Sequence, residues 1–294
     1  MNFRTDLAIE CREEYGETEI EGVRYTEKQN DRSKTTIIEV LNEKGEQAIG
    51  KPKGSYITVE VPDFSKDGEI LDDRLTAIKD ELVNLLPKDG IILVAGLGND
   101  NITPDSLGPR TVDKIIATRH ISPELAKSVG LDDLRMVAAV APGVLGQTGI
   151  ETGEIIMGVS NSVKPAAVIT IDALASRRLS RLGCTVQIAD TGVTPGSGVG
   201  NARTQINQNT LGVPVIAVGV PTVVDAATLV YDLMGGEENE QEVSEKLEGE
   251  GSSMIVTPRE IDLMIERAAK LLALAINSAL QPTLSLEDIM SMTS

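Results

Sequence analysis

Five short, nearly continuous apolar runs, each carrying or running into Gly, Pro or Asp, constrain this chain more than any other feature. They are IILVAGLG (91–98), RMVAAVAPG (135–143), AAVITIDAL (166–174), TVQIADTG (185–192) and VPVIAVGVP (213–221). Parallel strands covered on both faces read this way, without the apolar-polar alternation of a half-exposed sheet. Helical candidates fall between several of them, for example Ser106 to Thr118 and Val224 to Met234. The pattern predicts an α/β fold, a mostly parallel wound sheet flanked by helices. With four Tyr, two Phe and no Trp, its core must be filled by Val, Ile, Leu and Ala.

Residues 1 to about 87 are more polar and predict an N-terminal, β-containing extension. TTIIEVL (35–41) and SYITVEV (55–61) read as strands separated by the turn-rich NEKGEQAIGKPKG, and a helix is expected from Ile70 to Leu86. Near the C-terminus, Thr257-Pro258-Arg259-Glu260 has the cap, Pro and acidic residue expected at the start of a long helix reaching about Ala279. Ser285 and Asp288 open a last short helix by the same logic. GGEENEQEVSEKLEGEG (235–251) carries seven Glu against one Lys and reads as a flexible acidic insertion. Neither an internal repeat nor a linker argues for two domains.

Composition removes several function classes. With 45 acidic against 27 basic residues, a net charge of −18 and few rings, the chain has neither the cationic footprint nor the stacking platforms of a direct nucleic-acid binder. One histidine, His120, and two distant cysteines, Cys11 and Cys184, supply neither a multi-histidine metal site nor a disulfide framework, so no metal or other cofactor is expected. No run approaches a membrane span and MNFRTDLAIECREE lacks a signal-peptide core, so a cytoplasmic location is expected.

Working residues of wound sheets lie beyond the carboxyl ends of strands, and here those ends are rich in carboxylates: Asp100, Asp105, Asp172, Asp190 and Asp225. Taken singly, each could merely cap a helix or close a turn. Converging, they could form an acid-base pair, one carboxyl kept neutral by the charge of the other. Other motifs carry less. Gly96-Leu97-Gly98 lacks the third glycine of a dinucleotide fingerprint, and Gly196 to Asn201 lacks the Lys-Ser/Thr of a phosphate loop. Asp190-Thr191-Gly192 is a single copy of the pepsin-type signature in the wrong fold class. Nucleophilic triads would all depend on His120.

GLGNDNITPDSLGP (96–109), APGVLGQTGIET (141–152), ITIDALASR (169–177), IADTGVTPGSGVGN (188–201) and LGVPVIAVGVPTVVDA (211–226), with RTDLAIE (4–10) ahead of them, together resemble the germination proteases, spore endopeptidases that degrade small acid-soluble spore proteins. The resemblance spans nearly the whole chain. It implies an atypical aspartic peptidase in the spore core, made as a zymogen and assembled as a homotetramer, with a fold like that of the hydrogenase maturation proteases. The family's catalytic aspartates fall on Asp105 and Asp172; Asn99, Asp190, Asp225 and Arg177 are candidate supporting residues. Bottom-up, Asp190 and Asp225 are as well placed as that pair.

Members of that family cut after an acidic residue and before an apolar residue followed by Ala, which Asp6-Leu7-Ala8 matches. Self-cleavage between Asp6 and Leu7 is therefore expected, dividing the chain into a propeptide (1–6) and a single peptidase domain (7–294). Two other readings stand beside it: a metal-assisted peptidase like the hydrogenase maturation enzymes, and a non-enzymatic assembly protein using the acidic segment.

Overall fold

The computed structural model describes residues 5–16, 18–67, 71–128, 131, 133–196, 203–233 and 254–293. Its strands are β1 (Val23–Gln29), β2 (Lys34–Val40), β3 (Gly54–Glu60), β4 (Ile92–Gly96), β5 (Val137–Val140), β6 (Ala167–Ser176), β7 (Thr185–Ala189), β8 (Val215–Asp225) and β9 (Ile255–Val256). They form one sheet in the order β1-β2-β3-β7-β8-β6-β4-β5, with β9 on the far end of β8. The core β5-β4-β6-β8 is parallel, so four of the five apolar runs are parallel strands. The fourth is not: β7 lies antiparallel to both β8 and β3. Only residues 177–184 separate β6 from β7, too few for the crossover that a parallel return requires.

Helices cover both faces. They are α1 (Ala8–Glu13), α2 (Glu43–Ile49), α3 (Asp73–Leu85), α4 (Leu107–Val112), α5 (Pro123–Ser128), α6 (Leu145–Thr148), α7 (Thr152–Val163), α8 (Gln208–Leu211), α9 (Ala226–Leu233), α10 (Ile261–Leu280) and α11 (Leu286–Thr293). On one face Ile92, Val94, Ile169, Ile171, Val186 and Ile188 pack against α3 and the aliphatic side of α10. The opposite face holds two smaller clusters. Leu93, Ala95, Val168 and Val215 lie under Ile156 of α7; Ile38, Tyr56, Leu174 and Ala189 lie under Leu7, Ala8 and Ile9. Each fully buried aliphatic side chain contributes roughly 1.5–3 kcal/mol, and the gap between those two clusters is where polar residues enter.

Several local expectations need correction. The turn-rich stretch after β2 contains α2, whose first N–H groups are accepted by Asn42 and whose end is closed by Gly50 at φ 68°. The edge strand β1 is mostly exposed, so no apolar period marks it. The long helix begins at Ile261, not after Thr257. Thr257 Oγ1 donates to the carbonyl of Thr222, and β9 just before it is paired with β8, which holds this stretch out of the helix. The expected helix 106–118 is helical only over Leu107–Val112. Beyond it the buried side chain of Asn277, on α10, accepts from Ile116 N–H at 3.0 Å and donates to the carbonyl of Lys114 at 2.8 Å. By contrast, Ser285 and Asp288 cap α11 reciprocally. The acidic stretch 235–251 lies outside the described residues.

Asn277→Ala would leave both backbone groups unpartnered in a buried site. The expected loss is about 1–3 kcal/mol of unfolding free energy, measured by chemical denaturation, and a change within error would refute this role.

Candidate active site

Asp172 sits inside β6, not beyond its end. It pairs in register with Gly219 of β8, which in turn pairs with Gln187 of β7. Residues directly opposite in a sheet share a face, so Asp172, Gly219 and Gln187 form one row between the two smaller clusters. The middle position has to be glycine, because a Cβ at Gly219 would lie 2.6 Å from Leu174 Cγ and 2.7 Å from the Asp172 carbonyl oxygen. Asp172 is 9% exposed and Oδ1 accepts from Ala173 N–H at 2.9 Å. Burial, then the charges of Asp105 and Asp6, hold its carboxyl well above the ordinary carboxylate range.

Asp105 reaches the same place from β4. That strand ends at Gly96, and the chain bends through Gly98 at φ 110°, where a Cβ would strike the Asp105 carbonyl at 2.0 Å. A 3₁₀ turn, Thr103–Asp105, follows, anchored by Thr222 Oγ1 donating to the Pro104 carbonyl. Asp105 Oδ2 accepts from Asn99 N–H at 2.8 Å, while Asn99 Oδ1 accepts from Gln147 Nε2. Burial raises the Asp105 carboxyl, opposed by the Asn99 N–H. Both aspartates line a cleft of about 390 Å³ together with Asn99 and Asp6. A second lobe of about 580 Å³ shares Asp6, Asp172 and Leu174 with it and adds Gln187 and Asp190.

Asp6 lines both lobes. Past the end of the β4 ladder, Asp6 N–H donates to the Ala175 carbonyl and Asp6 Oδ2 accepts from Ala175 N–H, both at 2.9 Å. Its carbonyl oxygen accepts from Gln187 Nε2 at 2.9 Å, and Ala8 N–H donates to Gln187 Oε1 at 2.8 Å. Leu7 N–H donates to Thr5 Oγ1 at 3.0 Å, and Leu7 and Ala8 have no exposed surface. Glu10, also buried, accepts from Arg177 N–H, Arg178 N–H and Thr5 Oγ1; burial raises its carboxyl. The segment from Thr5 to Glu10 is thus fastened to Gln187 of β7, Ala175 of β6 and the two residues after β6, with Asp6 at the cleft.

Of the residues singled out in the sequence, Asp105, Asp172, Asn99, Asp6 and Asp190 line the two lobes. Asp190 Oδ1 accepts from Ser55 N–H at the start of β3. Asp225 accepts from the backbone and hydroxyl of Thr228, capping α9. Arg177 pairs with Glu14, which follows α1, and Asp100 lies 3.9 Å from Arg110. His120 is exposed and the Cys184 thiol is pushed up to about 11 by burial. Arg4 and residues 197–202 lie outside the described residues. Among the described residues no group of three His, Cys, Asp or Glu side chains is arranged to hold a metal ion. Sequence reading passed over Gln187, Glu10 and Ala175. Gln187 did leave a signal, a large amide inside an otherwise apolar strand.

A carboxyl whose pKa is raised by folding loses stability as pH climbs, because the unfolded chain gives up that proton first. Asp172→Asn keeps the acceptor for Ala173 N–H and removes the titration. The variant should therefore unfold at a higher temperature than the wild type at neutral pH, the difference shrinking as pH falls into the ordinary carboxylate range. A variant less stable at neutral pH would contradict the burial argument.

Residues 4–235 match the germination protease family model. A germination protease of Caldanaerobacter subterraneus subsp. tengcongensis is 45% identical over 316 aligned residues, covering 98% of this chain and 97% of that protein. One from Clostridium perfringens strain SM101 is 46% identical, with 98% of each chain covered, and one from Priestia megaterium is 34% identical, covering 98% of this chain and 96% of that protein. Among solved structures, the [NiFe] hydrogenase maturation protease HycI from Thermococcus kodakarensis KOD1 aligns with a TM-score of 0.37 at 17% identity, covering 67% of this chain and 98% of that one. In the described residues no helix is long and apolar enough to cross a membrane. The full-length matches settle the family: this chain belongs to the germination proteases, peptidases of spore germination.

Proposed function

We propose that the chain is a metal-independent aspartic endopeptidase in which Asp105 and Asp172 activate water, and that it matures by cutting itself between Asp6 and Leu7. What supports the reading most is the meeting in one cleft of two carboxyls that burial pushes above their ordinary range. Asp172 is the more buried and faces the charges of both Asp105 and Asp6, so it keeps the shared proton. Asp105, with Asn99 N–H on its carboxylate, is the ionised member. In hydrolysis Asp105 takes a proton from water as the water oxygen bonds to the peptide carbonyl carbon and the carbonyl π pair moves onto oxygen. Collapse breaks the C–N bond, and the departing nitrogen takes the proton from Asp172. One water is consumed, and proton exchange between the carboxyls restores the pair, which titrates as a unit.

The docked segment supports the processing reading, since Asp6 lines the same cleft as the two carboxylates while Leu7 and Ala8 on the other side of the bond are fully buried. Small acid-soluble spore proteins as substrates, the spore-core cytoplasm as location and a homotetrameric assembly follow from the family resemblance and belong to the same proposal. At a net charge of −18 the enzyme would not attract an acidic substrate over distance; recognition rests on local contacts such as the Ala175 N–H that accommodates an acidic side chain.

Asp105→Asn and Asp172→Asn should each slow cleavage of a small acid-soluble spore protein by about 10²–10⁴-fold, and full activity in either would overturn the pair. Excess chelator should leave turnover unchanged; loss restored by a divalent metal would favour the metal-assisted reading. Self-processing should be first order at a rate independent of protein concentration and leave Leu7 as the new N-terminus. A rate rising with concentration, or another first residue by N-terminal sequencing, would refute self-cleavage at this bond.

A further inference from the structure

We infer that Gln187 is the oxyanion donor of this site. The inference rests on reading Asp6–Leu7 as the bond that is cut. Gln187 is 8% exposed within the strand TVQIA, flanked along the chain by Val186 and Ile188, which point into the larger core. Burying an amide there without partners costs about 1–3 kcal/mol, whereas an aliphatic side chain would simply extend the cluster of Leu7, Leu174 and Ala189. Among the described residues, its hydrogen bonds go to two backbone atoms only, the Asp6 carbonyl oxygen and Ala8 N–H. Those atoms flank the Asp6–Leu7 bond, one on each side.

The two contacts have different roles. Oε1 holds Ala8 N–H, on the part of the chain that remains after cleavage, and this fixes which end of the amide faces the cleft. Nε2 then points its N–H at the carbonyl oxygen on which charge develops when water adds. A donor set in advance at that oxygen, on a largely buried side chain, lowers the barrier without reorganising during the reaction. Gly219, which separates this donor from Asp172 in the row, adds no side chain of its own, and Leu174 packs over it. Once residues 1–6 leave, Ala8 still orients the amide, and Nε2 is free to meet the carbonyl of an incoming substrate.

A tether and an oxyanion donor respond differently to substitution. Gln187→Glu keeps an acceptor for Ala8 N–H and removes the donor; Gln187→Met, similar in shape, removes both. The self-cleavage rate constant of the full chain is read by mass spectrometry across pH, and hydrogen exchange at Leu7 and Ala8 reports whether the segment stays docked. The expected result is a plateau rate lowered by about 100-fold or more in both variants, a pH profile of unchanged shape in Gln187→Met, and Leu7 and Ala8 still protected in Gln187→Glu. Self-cleavage of Gln187→Glu within about 3-fold of wild type would overturn the inference. So would slow cleavage accompanied by loss of protection in both variants, which is the behaviour of a tether. If the wild-type chain itself is never cut at Asp6–Leu7, the processing reading fails and the inference falls with it, an outcome visible before any variant is made.

Discussion

A carboxylic acid in the interior of a buried strand is the constraint from which the rest of this structure follows. An ionised carboxylate taken out of water costs several kcal/mol even after relaxation, and Asp172 has one backbone N–H, that of Ala173, on its Oδ1. Retaining a proton resolves the conflict, and neighbouring carboxylates make retention easier. Asp105 provides one such neighbour because β4 stops early and the chain turns at Gly98, the residue that can pass closest to the Asp105 backbone. Gly219 keeps the adjacent strand from covering the acid. The parallel core thus supplies a rigid frame, and one polar row interrupts it.

The N-terminal segment completes the arrangement. Its apolar residues fill the second cluster on the face that carries Asp172, while Asp6 adds a third carboxylate next to the pair and takes up both hydrogen-bonding groups of Ala175. Glu10 ties the segment to the backbone at Arg177 and Arg178. The contacts that stabilise the segment are also the contacts that hold its backbone against the cleft. Arg177 belongs to this fastening through Glu14 and Glu10.

The parallel core was legible because burial on both faces leaves an unambiguous record, uninterrupted runs of Val, Ile, Leu and Ala. The direction of β7 was not, since a run buried on both faces looks alike whichever way it points; the short connection from β6 decides it. Edge strand β1 was invisible for the opposite reason, as solvent on its surface permits almost any sequence. The strand-end rule gathered Asp100, Asp105, Asp172, Asp190 and Asp225 but could not rank them. Asp225 satisfies it and merely caps a helix, whereas Asp172 breaks it by lying inside its strand. Family resemblance selected Asp105 and Asp172, and geometry supplies the physical reason they go together. Gln187 went unnoticed because a single amide in a strand gains meaning only when its partners, 179 and 181 positions away for Ala8 and Asp6, are brought against it.

The central claim is that folding keeps a proton on Asp172 and that Asp105 helps keep it there. Site-resolved carbon-13 NMR titration of the aspartate carboxyls measures this directly. The Asp172 midpoint should lie well above the ordinary carboxylate range and move downward in Asp105→Asn as the neighbouring charge is removed. An Asp172 carboxyl that titrates with the exposed aspartates, or one indifferent to Asp105, would contradict that claim.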